Sequence, residues 1–154
     1  MEVTDVAGGF RLVGRADRIE KRADGSVVLL DYKTGSLPTR GAAEEGHAPQ
    51  LPLEAAMVRA GAFGAAWQGE VAELLYWRLT GGGTAGEVRS LFGGDRAAIA
   101  TAATEAEQRL RALVAAFDDA NRPYLNAPHP GRATRSDYDQ LARRAEWAGA
   151  GDGE

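Results

Sequence analysis

The amino-acid sequence predicts an α/β domain in which helices flank a mixed β-sheet, and three observations carry that prediction. The run Val27-Val28-Leu29-Leu30-Asp31-Tyr32-Lys33 is apolar and β-branched at its start, and it stops at Thr34-Gly35, as a buried strand does where it leaves the core. An alternating segment, residues 10–19, precedes it across an Asp24-Gly25 turn signal, which makes the two an antiparallel pair. A helical stretch opened by two prolines then leads to a third apolar run at residues 71–79, the arrangement of a right-handed crossover between parallel strands.

Taken in order, residues 1–9 read as a short strand or extended arm, with Gly8-Gly9 turning into the strand at residues 10–19. The next connection admits two registers. A two-residue loop, Asp24-Gly25, sets Asp17 opposite Tyr32, whereas a three-residue loop, residues 23–25, closed by a Gly bulge sets Asp17 opposite Asp31. The second is the expected one. It brings the two Cβ atoms to about 4.5–5.5 Å, a like-charge pair that is unfavourable unless a cation sits between them, and it makes Arg15 face Lys33. Asp31 and Lys33 project from one face of their strand, about 6–7 Å apart along it, so an acid and a base are held on a rigid element.

After Gly35 comes a loop containing Gly41 and Gly46. Pro49 and Pro52 are tolerated only at or before a first helical turn, so a helix begins near Gln50 and runs to about Ala60, where Gly61 ends it. Gln50 and Glu54 are then neighbours on one face. Phe63 and Trp67 lie in a Gly- and Ala-rich link before the strand at residues 71–79, and Gly81-Gly82-Gly83 is a break with no nucleotide-loop residues after it. Residues 94–120 are helical, with Ile99, Ala103, Ala106, Leu110, Leu113, Val114 and Phe117 on one apolar face. An irregular stretch from Asn121 leads to Ser136-x-x-Asp139, the cap of a last helix holding Leu141 and Trp147; residues 149–154 are expected to fray.

Composition narrows the chemistry. A chain of 154 residues, 44% hydrophobic and 26% charged, suits one globular domain. No window approaches 18 uninterrupted apolar residues and the first residues lack a signal peptide, which leads us to expect a soluble protein of the cytoplasm without a membrane partner. The absence of cysteine excludes disulfides, thiolate zinc sites and iron–sulfur clusters, and His47 and His129 are too few and too far apart for an all-histidine centre. Any metal is therefore a hard, oxygen-bound ion. A net charge of -4 argues against bulk electrostatic attraction to nucleic acid, but Lys33 stands out, since Lys21 is the other lysine and every remaining basic residue is arginine.

Three segments carry a family resemblance: Gly14-Arg15-Ala16-Asp17-Arg18-Ile19-Glu20, Asp31-Tyr32-Lys33-Thr34-Gly35 and Pro49-Gln50-Leu51-Pro52-Leu53-Glu54-Ala55. In this order they resemble the nuclease motifs of the RecB-type branch of the PD-(D/E)XK superfamily. The segment Ser136-Asp137-Tyr138-Asp139-Gln140-Leu141-Ala142-Arg143, with Glu146-Trp147, is similar to the C-terminal nuclease domains of AddB-type repair subunits. The resemblance implies a restriction-endonuclease-like fold over residues 1–147, followed by a disordered tail at 148–154. It implies a metal-dependent, exonuclease-type DNase acting on DNA in double-strand break repair and recombination beside an AddA-like partner subunit. It makes Asp17 and Asp31 the ligands of Mg²⁺ or Mn²⁺, Lys33 the catalytic lysine and Gln50 the start of the Gln motif, with Glu54 standing where many relatives carry Tyr.

Two departures accompany the resemblance. Relatives have an upstream helix bearing an acidic or His residue, so the chain reads as a fragment of a longer protein, and the iron–sulfur cluster of one AddB branch has no cysteine ligands here. The chemistry agrees with the motif: cutting a phosphodiester needs an activated water and charge neutralisation, which a cation on two carboxylates and a nearby lysine supply. Tyr32 and Trp77 read as core residues before base-stacking ones. The competing function is a catalytically inactive nuclease-fold scaffold that binds DNA or a partner.

Overall fold

The computed structural model describes residues 2–5 (backbone only), 9–82 and 86–124. In chain order its elements are β1 (Glu2–Asp5), β2 (Arg11–Val13), β3 (Arg18–Lys21), β4 (Val27–Lys33), α1 (Arg40–Glu44), α2 (Gln50–Arg59), a 3-10 turn at Ala65–Trp67, β5 (Val71–Arg78), β6 (Glu87–Ser90) and α3 (Arg96–Phe117). All of them lie in one compact unit, Met1–Asp119; residues 120–154 form a second, described only through Tyr124 as irregular chain. The last helix expected from Ser136 onward, its Leu141 and Trp147, and the fraying end lie outside the described residues.

β3, β4, β5 and β6 form a four-stranded mixed sheet in that order: β3 pairs antiparallel with β4, β4 parallel with β5, and β5 antiparallel with β6. The parallel pair is the expected crossover, with α1 and α2 in the connection. β1 and β2 make a separate antiparallel ribbon. α2 and α3 pack on each other and against β5, and their apolar faces meet one face of the sheet. Leu29, Leu74 and Tyr76 from the strands join Leu51, Met57, Val58 and Ile99 from the helices in one core.

The β3–β4 hairpin has the three-residue loop. Its ladder pairs Arg18 with Leu30 and Lys21 with Val27, and Arg22 N donates to Ser26 O at 2.8 Å across residues 23–25. Gly25 adopts φ +83°, where a Cβ would be strained, and its amide donates to Arg22 O at 2.9 Å. Asp24 fixes the turn by accepting from the Ser26 amide and hydroxyl.

α2 follows from its prolines and one glycine. Gln50 is its first residue, and Pro52 falls within the first turn, where the missing N–H has no intrahelical partner to lose. At the other end Gly61, at φ +74°, donates to Val58 O, and Ala62 N donates to Met57 O, the paired bonds of a Schellman closure.

Four expectations are corrected. The strand at residues 10–19 is broken, since β2 ends at Val13 and β3 begins at Arg18. The backbone at Gly14 runs against α2, and a Cβ there would come 2.9 Å from the Met57 thioether. Arg15 falls in this irregular stretch, exposed and outside the described ladder, so it gains no strand partner opposite Lys33. α1, capped by the Thr39 hydroxyl, occupies a stretch read as loop, and β6 lies between the break at residues 81–83 and the helix, where no element was expected. On α3 only the first half of the apolar face is buried, through Ile99, Ala102, Ala103 and Ala106, while Leu113 is 52% and Phe117 37% exposed.

Candidate active site at the carboxyl end of β4

Burial decides the character of this end of the sheet. β4 is buried from Val27 through Asp31 and only half-buried at Tyr32 and Lys33, so Asp31 is a carboxylate just 2% exposed at the point where the strand emerges. α2 begins beside it. Gln50 Nε2 donates to Asp31 Oδ1 at 2.6 Å and to Glu54 Oε1 at 3.3 Å, the latter one helical turn further on. Lys33 Nζ donates to Gln50 Oε1 at 3.1 Å and lies 2.7 Å from Asp31 Oδ2. A single amide thus ties strand to helix, its carbonyl turned to the ammonium and its NH2 to two carboxyl groups.

Asp17 immediately precedes β3, and the ladder continues it to the position opposite Asp31. Its Oδ2 accepts from the Tyr32 backbone N–H at 3.1 Å, so the carboxylate reaches across to β4. The sequence-selected residues Asp17, Asp31, Lys33, Gln50 and Glu54 are therefore brought together. Tyr32 contributes its backbone, while its ring pairs with Trp77 at 5.8 Å and its hydroxyl accepts from Arg18 at 3.5 Å. Arg15 is not drawn into any of these contacts.

One residue went unnoticed in the sequence. Tyr76 pairs with Asp31 across the parallel ladder, is 1% exposed, and lies with its ring centroid 5.8 Å from Lys33 Nζ. Burial, then the charges of Asp31 and Glu54, push its phenol up to about 12, so it stays neutral. Continuing the β4–β5 register to Asp31 is the signal that would have found it.

The electrostatics of the cluster show an excess of acid. Glu54 is 5% exposed, and its carboxyl is pushed up to about 7, first by burial and further by Asp31 and Asp17, against the opposing pull of the Gln50 hydrogen bond and Lys33. Asp31 Oδ2 is buried, and what faces it is the Lys33 ammonium, an ion pair at 2.7 Å. Among the described residues no three or more Asp, Glu, His or Cys side chains converge as a complete ion cage. A buried carboxylate whose second oxygen is held by an ion pair alone, beside a second acid, offers oxygen donors to a hard divalent ion that keeps several waters, and the residues present fit such an ion.

Comparison with known proteins agrees with this geometry. The family model of the PD-(D/E)XK nuclease superfamily matches residues 1–138. The chain belongs to that superfamily, and the mixed sheet with its flanking helices is the restriction-endonuclease-like fold. Curated relatives include an uncharacterized protein of Rickettsia bellii, 42% identical over 55 residues that make up 35% of this chain and 7% of the relative. Uncharacterized proteins of Rickettsia conorii and Rickettsia typhi match at 42% identity over 34% and 35% of this chain and 6% of each relative. The match thus spans well under a tenth of these relatives' length. No solved structure matches the chain. No helix among the described residues is long and apolar enough to cross a membrane.

Proposed function

We propose that this chain is the nuclease domain of an AddAB- or RecBCD-like helicase–nuclease, an exonuclease-type deoxyribonuclease that hydrolyses phosphodiester bonds during double-strand break repair and recombination. The observation that carries the reading is the knot of Asp31, Lys33 and Gln50, in which a buried carboxylate, an ammonium and one amide meet within 3.1 Å at a strand end. The resemblance of the segment from Ser136 to the AddB-type domains supports the narrower assignment, as does the far greater length of the matched relatives. DNA is the substrate, an AddA-like subunit the partner and the cytoplasm the compartment in this reading.

Asp17 and Asp31 would hold Mg²⁺ or Mn²⁺, which when bound supplies Lewis acidity toward the phosphate and an activated water. Lys33 places a positive charge beside that carboxylate, offsets charge developing on the phosphate and, as a donor, orients the attacking water. Gln50 holds Asp31 and Lys33 in register, and Glu54 fixes the direction of the Gln50 amide. The intact set of Asp17, Asp31 and Lys33 speaks against an inactive scaffold.

Cleavage of linear single- and double-stranded DNA by this chain, alone and within its parent subunit, tests the assignment. Activity is expected to require Mg²⁺ or Mn²⁺ and to vanish, together with Mn²⁺ binding in calorimetry, in Asp31→Ala. Parental cleavage or parental Mn²⁺ binding by Asp31→Ala would sink it.

A further inference from the structure

The two oxygens of Asp31 are held in different ways. Oδ1 accepts a 2.6 Å hydrogen bond from Gln50 Nε2, so it is fixed by an uncharged donor. Oδ2 faces the Lys33 ammonium, an ion pair at 2.7 Å. That ammonium also donates to a second acceptor, Gln50 Oε1, at 3.1 Å. The direction of the Gln50 carbonyl is not free, because the same amide's NH2 is committed to Asp31 Oδ1 and Glu54 Oε1. Lys33 therefore has two seats: an ion-pair seat on a buried carboxylate and a neutral seat already aimed at it.

We propose that Lys33 is a tethered counter-ion which a divalent cation must displace from Asp31 Oδ2, and that Gln50 Oε1, to which it already donates, retains the displaced ammonium. This rests on the reading of Asp31 as a cation ligand. A divalent ion and an ammonium on one buried carboxylate oxygen repel each other with little screening, which favours the arrangement in which one of them leaves. Without the divalent ion, Lys33 neutralises Asp31 and keeps the fold from burying a bare charge. With it, the lysine gives up Asp31 and keeps its hydrogen bond to Gln50, where its charge stands free for the phosphate. Cation loading and placement of the catalytic lysine become one event, and part of the cation's binding energy is consumed in evicting the lysine.

The test uses the whole chain and the metal ion itself. In calorimetry at pH 8, where proton competition for carboxylates is small, Lys33→Met is expected to bind Mn²⁺ about tenfold or more tightly than the parent, because the competitor is gone. Binding equal to or weaker than the parent's overturns the proposal. The parent supplies a second measurement that does not depend on the variant folding. Lys21, held on Ala66 O at 2.8 Å, is the one other lysine, so the Lys33 side-chain resonances are readily assigned. Added Mg²⁺ is expected to shift the Lys33 signals and leave those of Lys21 in place; Lys33 signals unmoved at saturation overturn the proposal. In Gln50→Ala the displaced ammonium lacks its seat, and its signals are expected to sharpen with Mg²⁺; a response identical to the parent's removes Gln50 from the proposal. If parent and Lys33→Met both bind no divalent ion, the cation reading falls and takes this inference with it. If the parent binds Mn²⁺ and cuts DNA but Lys33→Met shows no gain, the nuclease assignment stands and only the competition is wrong.

Discussion

At the amino ends of β4 and β5, Arg96 forks onto Glu70 and Asp24 at 2.7 and 2.9 Å, tying α3 to the turn before β4 and to the residue before β5. At the carboxyl ends of the same strands, Lys33 answers to Asp31 while Asp17 and Glu54 stand near by. The first cluster is exposed and complete. Asp24 is held well below the usual carboxylate range by the Ser26 hydroxyl and amide and then by Arg96. The second is buried at Asp31 and Glu54 and short of positive charge, and its Glu54 moves the opposite way, up to about 7. A fold gains nothing from burying surplus acid, so the second cluster is where function has imposed a cost on stability. The first serves only to hold loops together, and three measurements can break or sharpen this contrast.

The largest effect is expected from Lys33→Ala. Loss of one preorganised charge next to the developing phosphoryl charge typically slows catalysis by about 100- to 1,000-fold. The measurement is Mg²⁺-dependent cleavage of linear DNA within the full subunit, with folding checked by circular dichroism. Cleavage at the parental rate would assign the carboxyl-end cluster to the same purely structural class as the Arg96 fork.

This contrast was only partly legible in the sequence. β4 and its charged end could be read because a run of apolar residues stops at Asp31, whereas Gly25 marked the turn but suited either loop length, so the three-residue register was a choice that the ladder bears out. α2 could be read from local signals at both ends, Pro49 with Pro52 and then Gly61. The break at residues 14–17 depends on Met57, far along the chain, and no local pattern encodes it. β6 is specified by pairing with β5 and has little strand character of its own, while α1 is only five residues long and rests on the Thr39 cap. Periodicity marked Leu113 and Phe117 as an apolar face but could not say whether anything covers it. Within the site, Asp31 and Lys33 follow from strand alternation. The bridge from Gln50 to Asp31 needs the crossover that carries α2 to the end of β4, and Tyr76 needs the parallel register as well.

The second measurement concerns pH and the metal-free protein. The Glu54 carboxyl ordinarily titrates near 4.5 and in the fold near 7, so between those values the folded state holds a proton that the unfolded chain has released. Its stabilising contribution is therefore complete below pH 4.5 and is lost as pH rises through about 7. The pKa gap sets this loss at about 3 kcal/mol at most. Urea unfolding across that window, in parent and Glu54→Gln, isolates it from other carboxylates: the variant is expected to lose less stability on going to pH 7. Parallel pH profiles would mean that Glu54 ionises in the fold as it does in water.

The smallest effect is expected at the Arg96 fork, and its sign runs the other way. Asp24 binds its proton less readily in the fold than in the unfolded chain, so its contribution is present above the ordinary carboxylate range and is lost as pH falls. Both partners are exposed, which leaves their attraction open to screening and keeps such pairs weak. Arg96→Ala should therefore lower the unfolding midpoint only slightly at neutral pH, and the difference from the parent should shrink at high salt and again below the usual carboxylate range. DNA cleavage and Mn²⁺ binding should not change, because the fork stands at the far ends of β4 and β5 from Asp31. A loss of cleavage in Arg96→Ala without a loss of stability would couple the two ends of the sheet and overturn the division of roles. A stability loss that survives high salt would instead mean that the fork holds α3 by packing, through the Arg96 stem, and not by charge.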